Sequence, residues 1–532
     1  MTSAKRPKPF VMVIIDGYGI SSIKEGNAIM AAKQPTMDML MREYPMALVK
    51  AGGEDVGLPW GEMGNSETGH QNIGSGRVVY QFLPRIDAAI KNKSFFKNKA
   101  LLKAIHHVKK NPGAALHIMG MLSNGGVHSH INHQIALLKA AADAEIGDRT
   151  HVHVFLDGRD TSPDDGEGFV EQLEEEMKKT KAGKLETMTG RYYAMDRAQN
   201  WDLIQQTYDL LVSGKGKVYP NWKDAMRAVY VKGEKQSFEN APPMVIGEKS
   251  TIRTIQDGDA VIFYNFRSDR ARQLTGAFAD PTFDKFPVTK FKDLIFATMA
   301  SFDENVQTEV FFPDVAIPNT LGEVIANHKL TQLRIAESEK FAHVTYFFNA
   351  SRGTPYTGET DIQIPSITTK DFAQHPTMCA KEITDKVLTE LENGKFDVII
   401  LNYANPDMVG HTGKFDATVT AVECVDKQLG RVVKATLAQG GGVLVTGDHG
   451  NAEIIINHLT HEQTTDHTNN PVPVIYVSPE NKRETPKTEE ELEVILGNPI
   501  GFLADVAPTA LEILDLPIPK EMTAQSLLSS LS

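Results

Sequence analysis

Residues 441–451, Gly-Gly-Val-Leu-Val-Thr-Gly-Asp-His-Gly-Asn, constrain this chain more than any other stretch. Val443, Leu444 and Val445, with two glycines before them and one soon after, read as a short strand buried on both faces, as in parallel sheets lined by helices. Thr446 and Gly447 turn the backbone and leave Asp448 and His449 together at the strand's carboxyl end, where ligands gather in open α/β sheets. A hard oxygen beside an imidazole nitrogen is a natural pair of metal ligands. An isolated Asp-His-Gly is more often a polar turn ahead of a helix, so the reading depends on what distant segments add. Residues 10–16, Phe-Val-Met-Val-Ile-Ile-Asp followed by Gly17-Tyr18-Gly19, repeat the same logic of strand, carboxylate and glycine.

A length of 532 residues exceeds one ordinary core, and about two to four domains are expected. Hydrophobic residues at 41% and charged residues at 23% fit a soluble globular protein. A formal net charge of −13 argues against nucleic acid as a partner. Cys379 and Cys424 are the only cysteines, which excludes a disulfide framework and reads as two reduced core thiols. The apolar run 11–15 is too short for a signal-peptide core, and no stretch reaches the length of a membrane span. A cytoplasmic protein with no membrane partner is expected.

Residues 35–43 read as a helix with Pro35 in its first turn. In 63–70, Met-Gly-Asn-Ser-Glu-Thr-Gly-His, Asn65 and Ser66 suit a helix start, where free N–H groups favour an anion. Ser66 is either a plain N-cap, the commoner arrangement, or a nucleophile that becomes phosphorylated there. From 81 to 313 the texture changes. Helical segments at 131–145, 164–180, 198–213 and 268–278 alternate with strand-like runs at 115–122, 151–156, 185–189, 259–265 and 294–301, which implies a second α/β domain. Its strand ends carry 125–130 (GGVHSH), 157–160 (DGRD), 190–197 (GRYYAMDR) and 265–270 (NFRSDR). Arginine's planar fork suits carboxylate or phosphate, so these ends predict a pocket for a small multiply charged anion; the competing reading is structural pairing with Asp160, Asp196 or Asp269.

Past residue 313 the first texture resumes. Residues 332–336 are strand-like, 339–344 lead into a helix, 378–393 form an amphipathic helix, and 396–401 are another buried strand. Asp407 and His411 share a face if a helical turn forms there. A long helix, 415–438, returns to the opening strand, and a loop with His458, His461 and His467 follows. The simplest organisation is one domain from 1–80 and 314–532 with 81–313 inserted, hinged at 81–84 and 311–313.

Segments 63–70, 125–130, 155–161, 190–197, 265–270, 402–413, 446–451 and 467–473 resemble, in order, the signatures of the cofactor-independent (2,3-bisphosphoglycerate-independent) phosphoglycerate mutases of the alkaline-phosphatase superfamily. The resemblance covers essentially the whole chain. It implies an α/β fold of two domains: an alkaline-phosphatase-like α/β sandwich, discontinuous in sequence, that binds metal and carries the nucleophilic serine, and an inserted substrate-binding α/β domain. One divalent metal is implied at Asp16, Ser66, Asp448 and His449, and a second at Asp407, His411 and His467. Manganese is expected first, with magnesium or cobalt as alternatives. Substrate contacts carry over to His128, Arg159, Asp160, Arg191, Arg197, Arg267, Arg270 and Lys340. The implied activity is interconversion of 3- and 2-phosphoglycerate in glycolysis and gluconeogenesis by a monomer. Asn124, Thr68 and Tyr18 stand where aspartate, valine and tryptophan are usual, and none is a ligand. His458 and His461 are not carried over and read as solvated.

The chemistry explains why such parts are needed. Serine is a poor nucleophile near neutral pH, and a divalent cation on Ser66 Oγ favours its alkoxide. Moving a phosphate between two hydroxyls of glycerate requires two transfers through phosphorylated Ser66, with Lys340 and the arginines stabilising charge on the equatorial oxygens. One group must protonate the leaving alkoxide and later deprotonate the incoming hydroxyl, and Asp160 is the candidate. Water must be shut out meanwhile, which two closing domains would achieve. A phosphatase or phosphopentomutase with the same metal core is the enzymatic alternative, and a metal- and anion-binding regulatory protein is the non-enzymatic one.

Overall fold

The computed structural model describes residues 6–162, 165–230, 238–303, 305–314 and 316–531. Phe10–Ile15 holds six consecutive large apolar residues, all buried, as a strand covered on both faces requires. Alternate side chains divide between two cores: Val11, Val13 and Ile15 enter one, and Phe10, Met12 and Ile14 the other. It pairs in parallel with Val398–Tyr403 on one side and Gly442–Gly447 on the other. These strands are the middle of an eight-stranded sheet ordered Glu359–Ile364, Gln332–Glu337, Val398–Tyr403, Phe10–Ile15, Gly442–Gly447, Val472–Val477, Met46–Lys50, Gly501–Phe502. The first five run parallel, and Val472–Val477 is antiparallel to both neighbours. The sheet belongs to one of two compact units, Met1–Gln81 with Ala316–Ser532.

The other unit, Phe82–Val315, has its own eight-stranded sheet, ordered Glu309–Val310, Ile295–Thr298, Ala260–Phe263, Leu116–Leu122, Thr150–Leu156, Lys184–Gly190, Met244–Ile246, Lys217–Tyr219. Its first six strands are parallel and Met244–Ile246 runs against Lys184–Gly190. This sheet too is covered on both faces, with Ile118 in one core and Met119 and Met121 in the other.

Helices expected from periodicity are present as Pro35–Glu43, Ile131–Asp143, Gly166–Thr180, Trp201–Ser213, Arg272–Ala279, Ala380–Asn393 and Phe415–Ala438. The helix expected from residue 339 is instead a 3-10 turn, Ser338–Lys340, followed by a π-helical turn, His343–Phe347, a widened turn of the kind frequent at functional sites. Strands Met46–Lys50, Glu359–Ile364 and Val472–Val477 lacked a clear sequence signal. Glu359–Ile364 mixes polar and apolar residues at a sheet edge, and Pro473 lies one residue into Val472–Val477, where proline argues against an interior strand. No helix among the described residues is long and apolar enough to cross a membrane.

Candidate active site

Four neighbouring parallel strands of the first unit end side by side, and each delivers a charged group. Gln332–Glu337 leads into Lys340, Val398–Tyr403 into Asp407, Phe10–Ile15 into Asp16, and Gly442–Gly447 into Asp448 and His449. Ser66 arrives at the head of the helix Ser66–Ser75. Asn65, not Ser66, is the cap: its side chain accepts from Thr68 N at 2.9 Å. Ser66 Oγ is thereby left to the cluster, donating to Asp16 Oδ1 at 3.0 Å and lying 3.0 Å from His449 Nε2. Lys340 Nζ donates to Ser66 Oγ at 2.7 Å, Asp16 Oδ1 at 2.7 Å and Asp407 Oδ2 at 2.6 Å.

Three imidazoles complete the group. Their Nδ1 atoms each approach a backbone carbonyl: His411 to Thr465 O at 2.7 Å, His467 to Gly64 O at 2.7 Å, His449 to Gly450 O at 3.2 Å. A carbonyl only accepts, so each Nδ1 carries a proton and each Nε2 is directed inward, the orientation that metal-binding histidines need. His411 Nε2 and His467 Nε2 lie 3.3 Å and 3.2 Å from Asp407 Oδ1 and only 3.0 Å from each other. Two inward nitrogens so close fit a shared cation between them. Asp448 Oδ2 is buried and accepts no hydrogen bond, with His70 Nδ1 at 3.2 Å and His449 Nε2 at 3.6 Å. Asp407 with His411 and His467, and Asp16 with Asp407 and His449, each bring their ligand atoms within 4.8 Å of one another. Three carboxylates face one ammonium, and the excess negative charge with inward imidazoles fits divalent cations.

The same field displaces the protons. Burial would push Asp16 up, but Lys340 and His449 together outweigh it and hold the carboxyl far below its usual range, and Asp407 behaves likewise, with Lys340 joined by His411 and His467. Burial opposes the charge on Lys340, yet Asp16 and Asp407 raise it well above an ordinary lysine. His449 loses by burial and gains more from Asp448, Asp16 and Asp407, ending at about 10. The hydrogen bond to Asp407 raises His411.

Two supporting residues escaped the sequence reading. His70, wholly buried, places Nδ1 2.9 Å from Ser66 O, and Asn402 Nδ2 donates to Asp16 Oδ2 at 2.7 Å while lying 3.0 Å from His70 Nε2. The spacing of Ser66 and His70, one helical turn, was the available signal. His461 stands outside the cluster, exposed and 2.9 Å from Glu25 Oε1. Cys379 and Cys424 are free thiols, the first buried and the second half-buried.

In the second unit, Leu116–Leu122, Thr150–Leu156, Lys184–Gly190 and Ala260–Phe263 are likewise adjacent, and their ends carry His128, Arg159 with Asp160, Arg191 with Arg197, and Arg267 with Arg270. Arg191 is buried, with Nη1 2.7 Å from both Asp157 Oδ1 and Asp160 Oδ2. Arg197 Nη1 and Arg267 Nε each lie 3.2 Å from Asp269, and His128 Nδ1 lies 3.8 Å from it. Arg159 is loosely paired with Glu239 at 3.5 Å, and Arg270 donates to Met195 O at 3.0 Å. The structural pairing weighed from sequence is therefore partly present, but Asp196 takes no part, accepting instead from Ala198 N and Asn200 N. Asp157, not singled out from sequence, organises this edge: it also accepts from Ser123 Oγ at 2.6 Å and from the backbone N–H groups of Arg159 and Asp160. Burial lowers Arg270, and Arg191, Arg197 and Arg159 lower it further, the mark of a cationic neighbourhood. Burial, then Arg191, pushes His128 down to about 4.

The Metalloenzyme superfamily model matches residues 8–518. The chain is 45% identical over 526 residues, 99% of each sequence, to the 2,3-bisphosphoglycerate-independent phosphoglycerate mutase 1 of Methanosarcina acetivorans. It is 44% identical over 521 residues to the 2,3-bisphosphoglycerate-independent phosphoglycerate mutase of Clostridium novyi, covering 98% of this chain and 99% of that one. The crystal structure of Leishmania mexicana phosphoglycerate mutase at low cobalt concentration is similar at a TM-score of 0.61 and 29% identity, over 99% of this chain and 98% of that one. Near-complete coverage by such relatives, together with a buried serine among aspartates and inward histidines, places the chain in the 2,3-bisphosphoglycerate-independent phosphoglycerate mutases of the metalloenzyme superfamily.

Proposed function

We propose that this chain interconverts 3-phosphoglycerate and 2-phosphoglycerate without 2,3-bisphosphoglycerate, through a phosphoserine at Ser66. The observation that carries the reading is the setting of Ser66 Oγ, 2.7 Å from Lys340 Nζ and 3.0 Å from both Asp16 Oδ1 and His449 Nε2 at a helix N-terminus. Ser66 attacks the phosphorus of 3-phosphoglycerate, the bond to the glycerate 3-oxygen breaks, and the glycerate remains bound. After reorientation its 2-oxygen takes the phosphoryl group back from Ser66. Lys340 stabilises the Ser66 alkoxide and the helix N-terminus favours the phosphoserine charge.

Asp16, Ser66, Asp448 and His449 hold one divalent ion in this reading, and Asp407, His411 and His467 the other, manganese before magnesium or cobalt. When bound, these ions supply Lewis-acid stabilisation of the transferring group and of the serine alkoxide. His128, Arg159, Arg191, Arg197, Arg267 and Arg270 bind the acid's carboxylate and phosphate, through the paired bonds that guanidinium makes to such groups. Asp160, 2.7 Å from Arg191 Nη1, protonates the leaving alkoxide and later deprotonates the incoming hydroxyl. The working form in this reading is a cytoplasmic monomer.

Phosphorus NMR of 3-phosphoglycerate with the manganese-loaded protein, in the absence of bisphosphoglycerate, tests this. The expected product is 2-phosphoglycerate with no free phosphate. Free phosphate alone would identify a phosphatase, and an unchanged substrate would overturn the reading.

A further inference from the structure

Glu453 is buried, with 1% exposure, and lies outside every ligand set considered above. Its Oε2 accepts from Gly19 N at 3.2 Å and Asn451 N at 2.9 Å. Its Oε1 accepts from Asn470 Nδ2 at 3.0 Å and from the Thr468 hydroxyl. A carboxylate has about four acceptor sites, and these four donors occupy them. The donors belong to three loops that carry ligands: Gly19 follows Asp16, Asn451 follows Asp448 and His449, and Thr468 and Asn470 follow His467. Asn451 also donates to Asp407 Oδ1 at 2.8 Å. The backbone itself makes room for this carboxylate. A Cβ on Gly19 would meet Glu453 Cδ at 2.4 Å, and one on Gly450 would meet Glu453 Oε1 at 2.3 Å, so two of the three loops carry glycine where the side chain passes.

We infer that Glu453 is a positioning residue for both metal sites, with Oε2 fixing the loops of Asp16, Asp448 and His449 and Oε1 fixing the loop of His467. The inference rests on the metal reading proposed above and adds a residue that touches no ion. Charge matters here as well as shape. A glutamine is nearly isosteric, but its amide nitrogen must face donors on one side or the other, and two bonds are lost whichever way it turns. Groups that orient metal ligands typically change metal affinity by about 10- to 100-fold when replaced.

The test is a manganese titration of the metal-free full-length protein, read by the electron paramagnetic resonance of free manganese, for wild type, Glu453→Gln and Thr468→Val. Wild type is expected to bind two ions. Glu453→Gln should bind at least one of them about 10- to 100-fold more weakly. Thr468→Val removes one of the two bonds to Oε1 and none to Oε2, so it should weaken one ion by about 10-fold and leave the other unchanged. Wild-type affinities in Glu453→Gln would overturn the inference even if its melting temperature fell, because a merely structural residue lowers stability without changing ligand geometry. Should Glu453→Gln not fold, Thr468→Val decides: one weakened ion supports the inference, and two unchanged or two equally weakened ions overturn it. Wild type that binds no manganese would overturn the metal reading itself, and this inference with it.

Discussion

At the ends of Gln332–Glu337, Val398–Tyr403, Phe10–Ile15 and Gly442–Gly447 the first unit gathers three aspartates around one lysine, whereas the ends of Ala260–Phe263, Leu116–Leu122, Thr150–Leu156 and Lys184–Gly190 in the second unit gather five arginines against Asp157, Asp160, Asp269 and Glu239. Both edges use one backbone device, four adjacent parallel strands whose loops emerge together. What they attract differs only through the residues that follow each strand. The first edge is buried except at His411 and His467, and is short of positive charge, which suits divalent cations. The second keeps a surplus guanidinium and exposes several of its arginines, which suits an anion. Architecture fixes where chemistry can occur, and the next few residues decide its sign.

The largest expected effect lies on the anionic edge. Ser66→Ala removes a hydroxyl that caps nothing, so folding should be preserved while mutase turnover falls by about 10⁴-fold or more, as loss of a covalent nucleophile does. Rapid-quench labelling with phosphate-labelled substrate should find no phosphoenzyme in that variant; normal turnover would remove Ser66 from the mechanism. On the cationic edge two arginines should separate. Arg191, 2% exposed, neutralises Asp157 and Asp160, and Arg191→Met should cost about 3–5 kcal/mol of stability by leaving carboxylates buried and unpaired. Arg267 is 51% exposed, so Arg267→Met should alter stability by about 1 kcal/mol or less and chiefly raise KM, by about 10-fold. Denaturant melts paired with kinetics check both, and equal stability losses would contradict the distinction drawn between a buried tie and an exposed anion contact.

Much of this contrast was legible in the sequence, because it depends on strand ends. Runs such as FVMVII and GVLVTG have only one comfortable environment, between two helical layers, and the polar residue that follows must then emerge at the sheet edge. That is why Asp16, Asp448 and His449 could be placed at the sheet edge from the sequence, whereas the two ligand sets, with Asp407 in the second, came with the family resemblance. Lys340 was assigned through family resemblance alone: it closes a 3-10 turn after a strand and is followed by a π-helical turn, a stretch whose local pattern reads as an ordinary helix. His70, Asn402, Asp157 and Glu453 were missed for a different reason. Asn402 and Glu453 act by hydrogen-bonding to residues far away in the chain, Asp16 and Gly19, which leaves no spacing to read, and the one-turn spacing of His70 from Ser66 says nothing of Asn402 at its other nitrogen. Met46–Lys50, Glu359–Ile364 and Val472–Val477 were missed because their pattern is weak and sheet pairing supplies what propensity does not.

The response of the metal-free protein to pH should also differ between the units. In the first, carboxylates raise His449 from 6.5 to about 10 despite its burial, so its proton stabilises the folded state fully below pH 6.5, and that stability is lost as pH rises toward 10. In the second, burial lowers His128 from 6.5 to about 4 and also lowers His117 and His153, which sit 2.9 Å apart deep in the sheet. Their neutral forms are favoured, so stability there is intact above pH 6.5 and is lost as pH falls toward 4. His343 in the first unit is also lowered to about 4, so an acid limb is expected in both units, but the alkaline limb belongs to the first alone. Hydrogen exchange of the metal-free chain at pH 5, 6.5 and 9, corrected for intrinsic exchange rates, resolves the two units. Protection that falls at pH 9 in both units equally would show that His449 is not the group responsible, whereas a fall confined to the first unit and abolished by His449→Gln would tie the alkaline limb to the carboxylate cluster.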